Sequence, residues 1–530
     1  MTSRRLGRGS CESATRSRAR QLWTLGLGAA LVLASACSVG GPAAGGGDSH
    51  SVRLVVRETP SSMDPCDSHQ AANGPILNGN ITEPLTNLDV TTGELSPELA
   101  TEWTQPNPTT WRFTLRQGVT FHDGQPFNAA AVTGWVKRVI DPEVGCYVLG
   151  SVLDKNVVSA TGVDEYTVDI GLAAPDPILP IRMSFVDIGA PSADPKSKAK
   201  VPIGTGPFKF VSWSPGANFE MTRFDGYWGQ KPEVEAATYM FRAESSVRAA
   251  MASTREVDIA TAIGPQDADM PGALTYTVAE TMYFRSDLTL PPLDDIRVRR
   301  AINYAVDRQA FIDNVYGGKG EPANDIVLPT VTGYNPDVTW NYDSDKARQL
   351  IAEAAAAGTP VDAPIQIITE RDVRGSNGTE AADTISAMLQ AVGLNTHVVN
   401  VDNIQDPLTT PEDPGKEAAL VLNVHGNSLG DSQVSLAGKL GCSGPQSRLC
   451  DPVFDATLVD AGGAAGAERA AKLQAASKYI YDNVVPLLPV AHLTDTMVIT
   501  NPNLKYKPNS ATSEKLVLAD MSFDATAGAG

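Results

Sequence analysis

Positive charge is what this chain has least of: 42 lysines and arginines stand against 61 aspartates and glutamates, a formal net charge of −19. The body is more acidic than the total suggests. Residues 1–36 hold six arginines (Arg4, Arg5, Arg8, Arg16, Arg18, Arg20) against the single acid Glu12, and taking that surplus of five from −19 leaves −24. A surface so short of basic groups excludes nucleic acid as a partner and excludes lying flat on anionic lipid. Long apolar runs are equally scarce, and after Leu33 no segment approaches the length of a transmembrane helix. The six histidines (His50, His69, His122, His397, His425, His492) are scattered and the cysteine spacings do not match, so no zinc site is expected. Gly204-Thr-Gly-Pro207 lacks the Gly-Lys-Ser/Thr of a phosphate loop, and Pro207 removes a donor amide.

What is present begins with the arginine-rich start, followed by the apolar run Leu22 to Leu33 and then Ala34-Ser-Ala-Cys37. That order is a signal peptide, and its end resembles the bacterial lipobox, in which the cysteine left first after cleavage carries a diacylglycerol. Residues 1–36 are read as the signal peptide. Residues 37–50 are read as lipidated Cys37 and a flexible tether, because Ser38 to Ser49 is rich in glycine and has no apolar face. Twelve such residues span about 20 Å root-mean-square. The chain is thus expected to be exported and anchored to the outer face of the bacterial cell membrane. Cys11 leaves with the signal and Cys37 is lipidated. Cys66, Cys146, Cys442 and Cys450 remain for an oxidising compartment, with three possible pairings.

At 530 residues the chain exceeds one hydrophobic core and fits two to four domains or lobes. Val52, Leu54 and Val56 alternate with Arg53, Val55 and Arg57 as a strand. Trp111, Phe113 and Leu115 alternate likewise, and Val119 with Phe121 suggests a second short strand that closes a hairpin at His122-Asp-Gly124. Asn128 caps a helix with Ala131, Val132, Trp135 and Val136 on one face. A helix capped by Asp294 or Asp295 carries Val298, Ala301, Ile302 and Ala305, Gly317-Gly318 stops the helix that follows, and Arg297, Arg299, Arg300 and Arg308 are expected on solvated faces and in ion pairs. Helices from Asp345 to Ala357 and from about Glu380 to Ala391 follow. An apolar strand from Val484 to Ala491 comes near the end. Helices alternating with short strands indicate α/β lobes.

Three blocks carry a family resemblance: Leu99-Ala-Thr-Glu-Trp103 with Trp111 to Gly124, Gly204-Thr-Gly-Pro-Phe208 with Phe224 to Gly229, and Pro291 to Arg308. Together they resemble the extracellular solute-binding proteins of family 5, the dipeptide- and oligopeptide-binding lipoproteins of ABC importers. The resemblance spans about residues 52–510 and leaves no room for a separate catalytic domain. It implies a two-lobed α/β periplasmic-binding-protein fold of type II, in the large form with an extra subdomain in the first lobe. Residues 51–283 plus 493–530 are assigned to lobe I and 284–492 to lobe II, with crossings near Tyr283-Phe-Arg-Ser286 and near His492. A Cys pair in the setting of Cys442 and Cys450 recurs in the dipeptide-binding branch, which leaves Cys66 with Cys146.

The same resemblance implies the site. His425 to Gln433 would follow a buried strand to a lobe edge, in the turn where the dipeptide binders hold the ligand α-amine. Asn427 and Asp431 are the candidates there, beside His425. Arg371 stands near the position of an arginine that clasps the ligand carboxylate, and a planar guanidinium suits that task. His69 to Gly74, with Asn73, would offer contacts from the first lobe. The implied ligand is a small peptide or similar solute, and the implied partners are the permease and ATPase subunits of an importer. The chain is expected to act as a monomer, without cofactor, metal or catalysis of its own. Two other functions compete with this reading. Gly426-Asn-Ser428-Leu-Gly430 satisfies the G-x-S-x-G pattern of a secreted serine hydrolase, with His492 downstream. A non-transport extracellular receptor or chaperone on the same fold is the other.

Overall fold

The computed structural model describes residues 50–508 and 515–524, apart from 71, 91, 154–155, 374–375, 405–406, 408–416, 445 and 449. Cys37, the signal peptide and nearly all of the tether lie outside the described residues.

One large sheet organises this body. Its strands are β1 (Ser51–Val56), β2 (Phe208–Ser214), β3 (Asn218–Arg223), β4 (Ala236–Phe241), β5 (Ile259–Ala260), β6 (Ala273–Ser286), β7 (Ile365–Glu370), β8 (Thr396–Val401), β9 (Ala418–Gly426) and β10 (Leu487–Ile499). They lie side by side in the order β2-β3-β4-β1-β5-β10-β6-β9-β7-β8, and Glu321–Pro322 adds a short pairing on β10. β1 runs parallel to β4 and β5, and β7 runs parallel to β8 and β9. Parallel neighbours covered on both faces read as near-continuous apolar runs. That is why Val55 is buried along with Val52, Leu54 and Val56, and why Leu420 to Leu422 are all buried in β9.

β6 and β10 are the long strands, 14 and 13 residues, and they run antiparallel along each other. Ala273–Thr277 pairs with Thr494–Val498 on the side of β5, whereas Thr281–Arg285 pairs with Leu487–His492 on the side of β9. The register shifts between Thr277 and Thr281. β6 is bonded to β9 from Glu280 to Ser286, and the shift of register falls on β10 between His492 and Thr494.

Separate cores sit on either side of this change. Leu54, Phe208, Phe219, Tyr239 and Ile259 form one. Val298, Ile302, Phe311, Ile365, Ile385 and Leu420 form another, joining β7 and β9 to the helices α2 (Ile296–Ala305), α3 (Arg308–Tyr316), α4 (Ser344–Ala356) and α5 (Gly378–Gln390). A third joins Tyr283 to Leu436, Phe454, Leu473 and Tyr481 of α6 (Ser432–Leu440), α7 (Pro452–Gly462) and α8 (Gly466–Asn483). Residues 100–172 supply a four-stranded antiparallel sheet with its own core, where Phe113 and Phe121 are buried together with Trp135 of α1 (Ala129–Val139). The caps are those legible in sequence: Asn128 Oδ1 accepts from Ala131 N at 3.1 Å, Asp295 Oδ1 from Arg297 N at 2.9 Å, and Gly317 ends α3 at φ 59°.

Three expectations change. Thr110–Leu115 is a strand, but its partners are Ala100–Asn107 and Thr167–Leu172. The stretch from Val119 to His122 makes only an isolated bridge, Thr120 to Pro126, as Gly118 and Gly124 turn the chain with positive φ; Phe121 is buried beside Phe127. Arg299 and Arg308 are buried rather than solvated. Arg299 donates to Val484 O and Leu293 O, and Arg308 to Ala323 O, Pro489 O and Asn303 Oδ1. Helix ends and strand ends leave carbonyls without partners, and one guanidinium satisfies several of them. The C-terminal strand runs to Ile499, well past Ala491.

The glycines of Gly204-Thr-Gly-Pro207 serve close backbone approach. A Cβ on Gly204 would stand 2.1 Å from Ile81 O and one on Gly206 2.5 Å from Asn80 O. His122 clamps the same segment, its backbone N donating to Gly204 O at 3.0 Å and its Nε2 lying 2.9 Å from Gly206 O. Burial pushes the His122 imidazole down to about 4. The unfolded chain then binds a proton more readily than the folded one, so this contribution is complete above about pH 6.5 and is lost as pH falls toward 4. Thermal unfolding from pH 7.5 to 4.5 should show a smaller loss of Tm for His122→Gln than for the native chain; equal losses would remove His122 from the acid response.

Candidate functional site

A cavity of about 830 Å³ opens between residues that precede β6 and residues that lie between β6 and β10. From the first group come His69, Tyr147, Gly150 to Val152, Arg182 and Phe185. From the second come Glu370, Val373, Ile404, the turn Asn423 to Leu429, residues of α6, and Ser443, Gly444 and Gln446. This volume is within the range that encloses a drug-sized solute. A smaller cavity of about 90 Å³ sits where β6 and β10 change neighbours, lined by Arg57, Glu58, Glu280, Lys319 and Asp495 among others. At about 30 Å³ per water it holds roughly three waters. The larger cavity is therefore the candidate site.

Local chemistry explains how its walls are held. Arg182 Nε donates to Asp176 Oδ2 at 2.7 Å and its Nη1 to Val152 O at 2.8 Å, so the guanidinium fixes the Gly150 to Val152 wall. The His69 ring lies 4.8 Å from that of Phe185, with Nδ1 3.1 Å from Asn78 Nδ2 and Nε2 3.5 Å from Asp187 Oδ1. Asn423 Nδ2 donates to Tyr283 Oη and to Gln446 Oε1, joining β6, β9 and the 443–446 segment. Glu370 is the only carboxylate among the described lining residues, and its Oε2 accepts from Ile404 N at 3.1 Å.

The sequence-derived candidates are only partly brought together. His425 and Asn427 line the cavity. Asn427 is buried and its amide is engaged, Nδ2 donating to Ile326 O at 2.9 Å and Oδ1 accepting from Ser435 Oγ at 3.4 Å. Asp431 is not among the lining residues: it caps α6 through Gln433 N and holds Arg469 in a two-pronged pair, Nε to Oδ2 at 2.7 Å and Nη2 to Oδ1 at 2.9 Å. Both side chains are buried, at 2% and 3% exposure, and the charge is neutralised within the protein. Arg371 is exposed and outside the lining, although its neighbours Glu370 and Val373 belong to it. Asn73 is fully buried at the start of the turn Gly74–Leu77, with neither side-chain atom hydrogen-bonded; its neighbours Ala72 and Pro75 line the small cavity.

Ser428 lines the large cavity while His492 does not. The His492 ring is buried in β10, its Nδ1 2.8 Å from Thr281 Oγ1. The residues that sequence reasoning missed are Tyr147, Arg182, Phe185, Glu370, Lys439 and Gln446. Tyr147 follows Cys146, and Gln446 lies inside the Cys442–Cys450 loop, so the cysteines were a usable signal.

Breaking a buried ion pair by removing one partner strands the other charge, at roughly 3–5 kcal/mol. Asp431→Ala is expected to lower the unfolding free energy by about 3 kcal/mol in urea titrations. Arg469→Met should act similarly, and a double change of Asp431→Leu with Arg469→Met should recover part of the loss. A variant of Asp431 as stable as the native chain would show that the pair does not hold α6 to α8.

Comparisons with known proteins agree with this architecture. Residues 94–446 match the description "Bacterial extracellular solute-binding proteins, family 5 Middle". The dipeptide-binding protein of Escherichia coli K12 is 26% identical over 472 residues, covering 81% of this chain and 85% of that protein. Among solved structures, the ABC transporter substrate-binding protein CtaP of Listeria monocytogenes superposes with a TM-score of 0.79 at 20% identity, covering 90% of this chain and 100% of that one. A dipeptide-binding protein from Pseudoalteromonas in complex with Met-Leu gives 0.75 at 20% identity, with 89% and 100% covered. The fold is thus the two-lobed α/β form of periplasmic binding proteins, and the disulfides Cys66–Cys146 and Cys442–Cys450 are both formed. Proteins of this kind are extracellular or periplasmic and work with the permease and ATPase components of ABC importers. No helix among the described residues is long and apolar enough to cross a membrane. By the match over residues 94–446, the chain belongs to the bacterial extracellular solute-binding proteins of family 5.

Proposed function

We propose that this chain captures a small peptide or similar polar solute in the 830 Å³ cavity and delivers it to an ABC permease, tethered to the outer face of the cell membrane through Cys37. The carrying observation is that the cavity is lined from both sides of the β6/β10 change-over. Solute held there touches both lobes at once, so it stabilises the closed arrangement over the open one. A difference in affinity between the two arrangements is all that a population shift requires. The hinge in this reading lies at Thr277–Thr281 and at His492–Thr494, where the strands exchange neighbours. Lobe I is then the chain before that first crossing together with the C-terminal segment, and lobe II is what lies between.

The ligand polarity follows from the lining. Ser151, Ser428, Ser435 and Ser443 offer hydroxyls, and Gly150, Gly426, Gly438 and Gly444 expose main chain, which suits a hydrogen-bonding solute. The turn that carries the amine-binding carboxylate in dipeptide binders has Asn427, engaged internally, while Asp431 is held by Arg469. Glu370 takes over as the carboxylate for an ammonium or other donor, and Arg371 remains outside unless closure brings it in. Non-catalytic capture is preferred to serine hydrolysis because Ser428 and His492 are not assembled around one point.

The protein as purified, analysed by native mass spectrometry, should carry a small polar solute. Calorimetry against Met-Leu, the tetrapeptide Ser-Thr-Ser-Ala, glutathione, haem and nickel–histidine should give a micromolar dissociation constant for a peptide, about 8 kcal/mol of binding. X-ray scattering should show compaction with the same compound. Glu370→Gln should weaken it tenfold or more, about 1.4 kcal/mol. Binding of none of these, or binding without compaction, would overturn the reading. Fluorophosphonate labelling that vanishes in Ser428→Ala would move the protein to the hydrolases.

A further inference from the structure

We propose that the turn Asn427–Gly430 is a latch between the lobes: it is fixed within lobe II and seats Leu429 against lobe I, so that part of the population is closed before solute arrives. This rests on the reading of two lobes that close around the large cavity. The turn lies in the chain between β6 and β10. Leu429, however, packs against the core that holds Leu85, Phe113 and Phe121, all of which come before β6. Beside it, a Cβ on Gly430 would stand 3.7 Å from Leu88 Cδ2, and Leu88, in the strand Thr86–Leu88, is 8% exposed. The tip of a lobe II turn thus meets the apolar interior of lobe I directly.

The polar groups that flank this tip are engaged inside lobe II. Asn427 Nδ2 donates to Ile326 O at 2.9 Å, and Asp431 is paired with Arg469. Gly430 N donates to Asn427 O at 3.0 Å, which closes the turn, and Gly430 O accepts from Thr332 N at 3.0 Å. Gly430 stands at φ 64°, a conformation that glycine adopts without strain. An apolar side chain on such a turn would ordinarily meet water. Here opening the lobes returns surface of Leu429 and Leu88 to water and closing them removes it, a gain that needs no solute. Lys319 Nζ also reaches across to Asp269 Oδ1 at 2.8 Å, but that carboxylate is 94% exposed and such pairs contribute little. The apolar contact therefore weighs more. The apparent affinity of a solute that binds the closed arrangement scales with the fraction already closed. Leu88 is not among the residues that line the cavity, so it strengthens capture only through closure.

The test is single-molecule energy transfer on the full chain without solute, with one dye at exposed Val163, before β6, and the other at exposed Val459 of α7. The native chain should show a closed population, and its ratio to the open one should fall about fivefold or more in Leu429→Ser and in Leu88→Ala. A native chain with no closed population overturns the latch, and so does an unchanged ratio in either variant. Urea unfolding of Leu429→Ser should keep the native midpoint; a lower midpoint beside the lower ratio overturns the latch as well, because it marks a loosened fold. Calorimetry with Met-Leu adds a second readout. In Leu88→Ala its dissociation constant should rise by the same factor as the closed fraction falls. An unchanged constant beside a smaller closed fraction overturns the link from latch to capture. If the native chain does not bind Met-Leu, the peptide reading fails at that point and the solute-free ratio alone decides the latch.

Discussion

The structure depends on one constraint: two strands must carry the main sheet from one core to another without leaving a gap in its hydrogen bonds. β6 and β10 do this by running along each other, β10 taking β5 on its outer edge toward one end and β6 taking β9 on its outer edge toward the other. Buried backbone groups must find partners throughout, so the change-over is made with a shift of register between Thr277 and Thr281 and not with a break. The cavity opens between residues that come from the two sides of this pair. Everything that lines it, from His69 to Gln446, is placed by one side or the other.

Polar groups buried near the change-over show how the interior is kept consistent. Arg308 and Arg299 are not exposed charges but donors to backbone carbonyls, eight hydrogen bonds of this kind joining α2, α3 and β10 to their surroundings. Arg469 does the same for α7 and, through Asp431, for the start of α6. A carboxylate beside a binding turn attracts a functional interpretation. Here a guanidinium with matched geometry engages both oxygens of Asp431.

How much of this was legible beforehand follows from which forces were local. Alternation and caps were readable, since Asn128, Asp295 and Gly317 act within a few residues of themselves. The strand at Trp111 was readable too, yet its pairing was not. The period of two says that a segment is a strand but not which other strand will cover its edges, and Gly118 and Gly124 sent Phe121 into the core by a turn. Site residues were hardest. Arg371 stands in a bend after the end of β7 and is exposed, whereas Glu370, the last residue of that strand, lines the cavity. His425 and Asn427 line it as well, because β9 ends beside it. Tyr147, Arg182 and Phe185 come from another part of the chain, and only the folded topology brings them close.

The glycines and serines along the cavity walls have an evolutionary consequence. A wall made of Gly150, Gly426, Gly438 and Gly444 presents peptide groups to the solute, and peptide groups are the same whatever residue stands there. A side chain at Gly438 would meet nothing within 4 Å, whereas one at Gly444 would stand 2.4 Å from Ala437 O and Gly150 is held at φ 94°. The open position is where such a pocket can be reshaped by addition while the scaffold stays fixed.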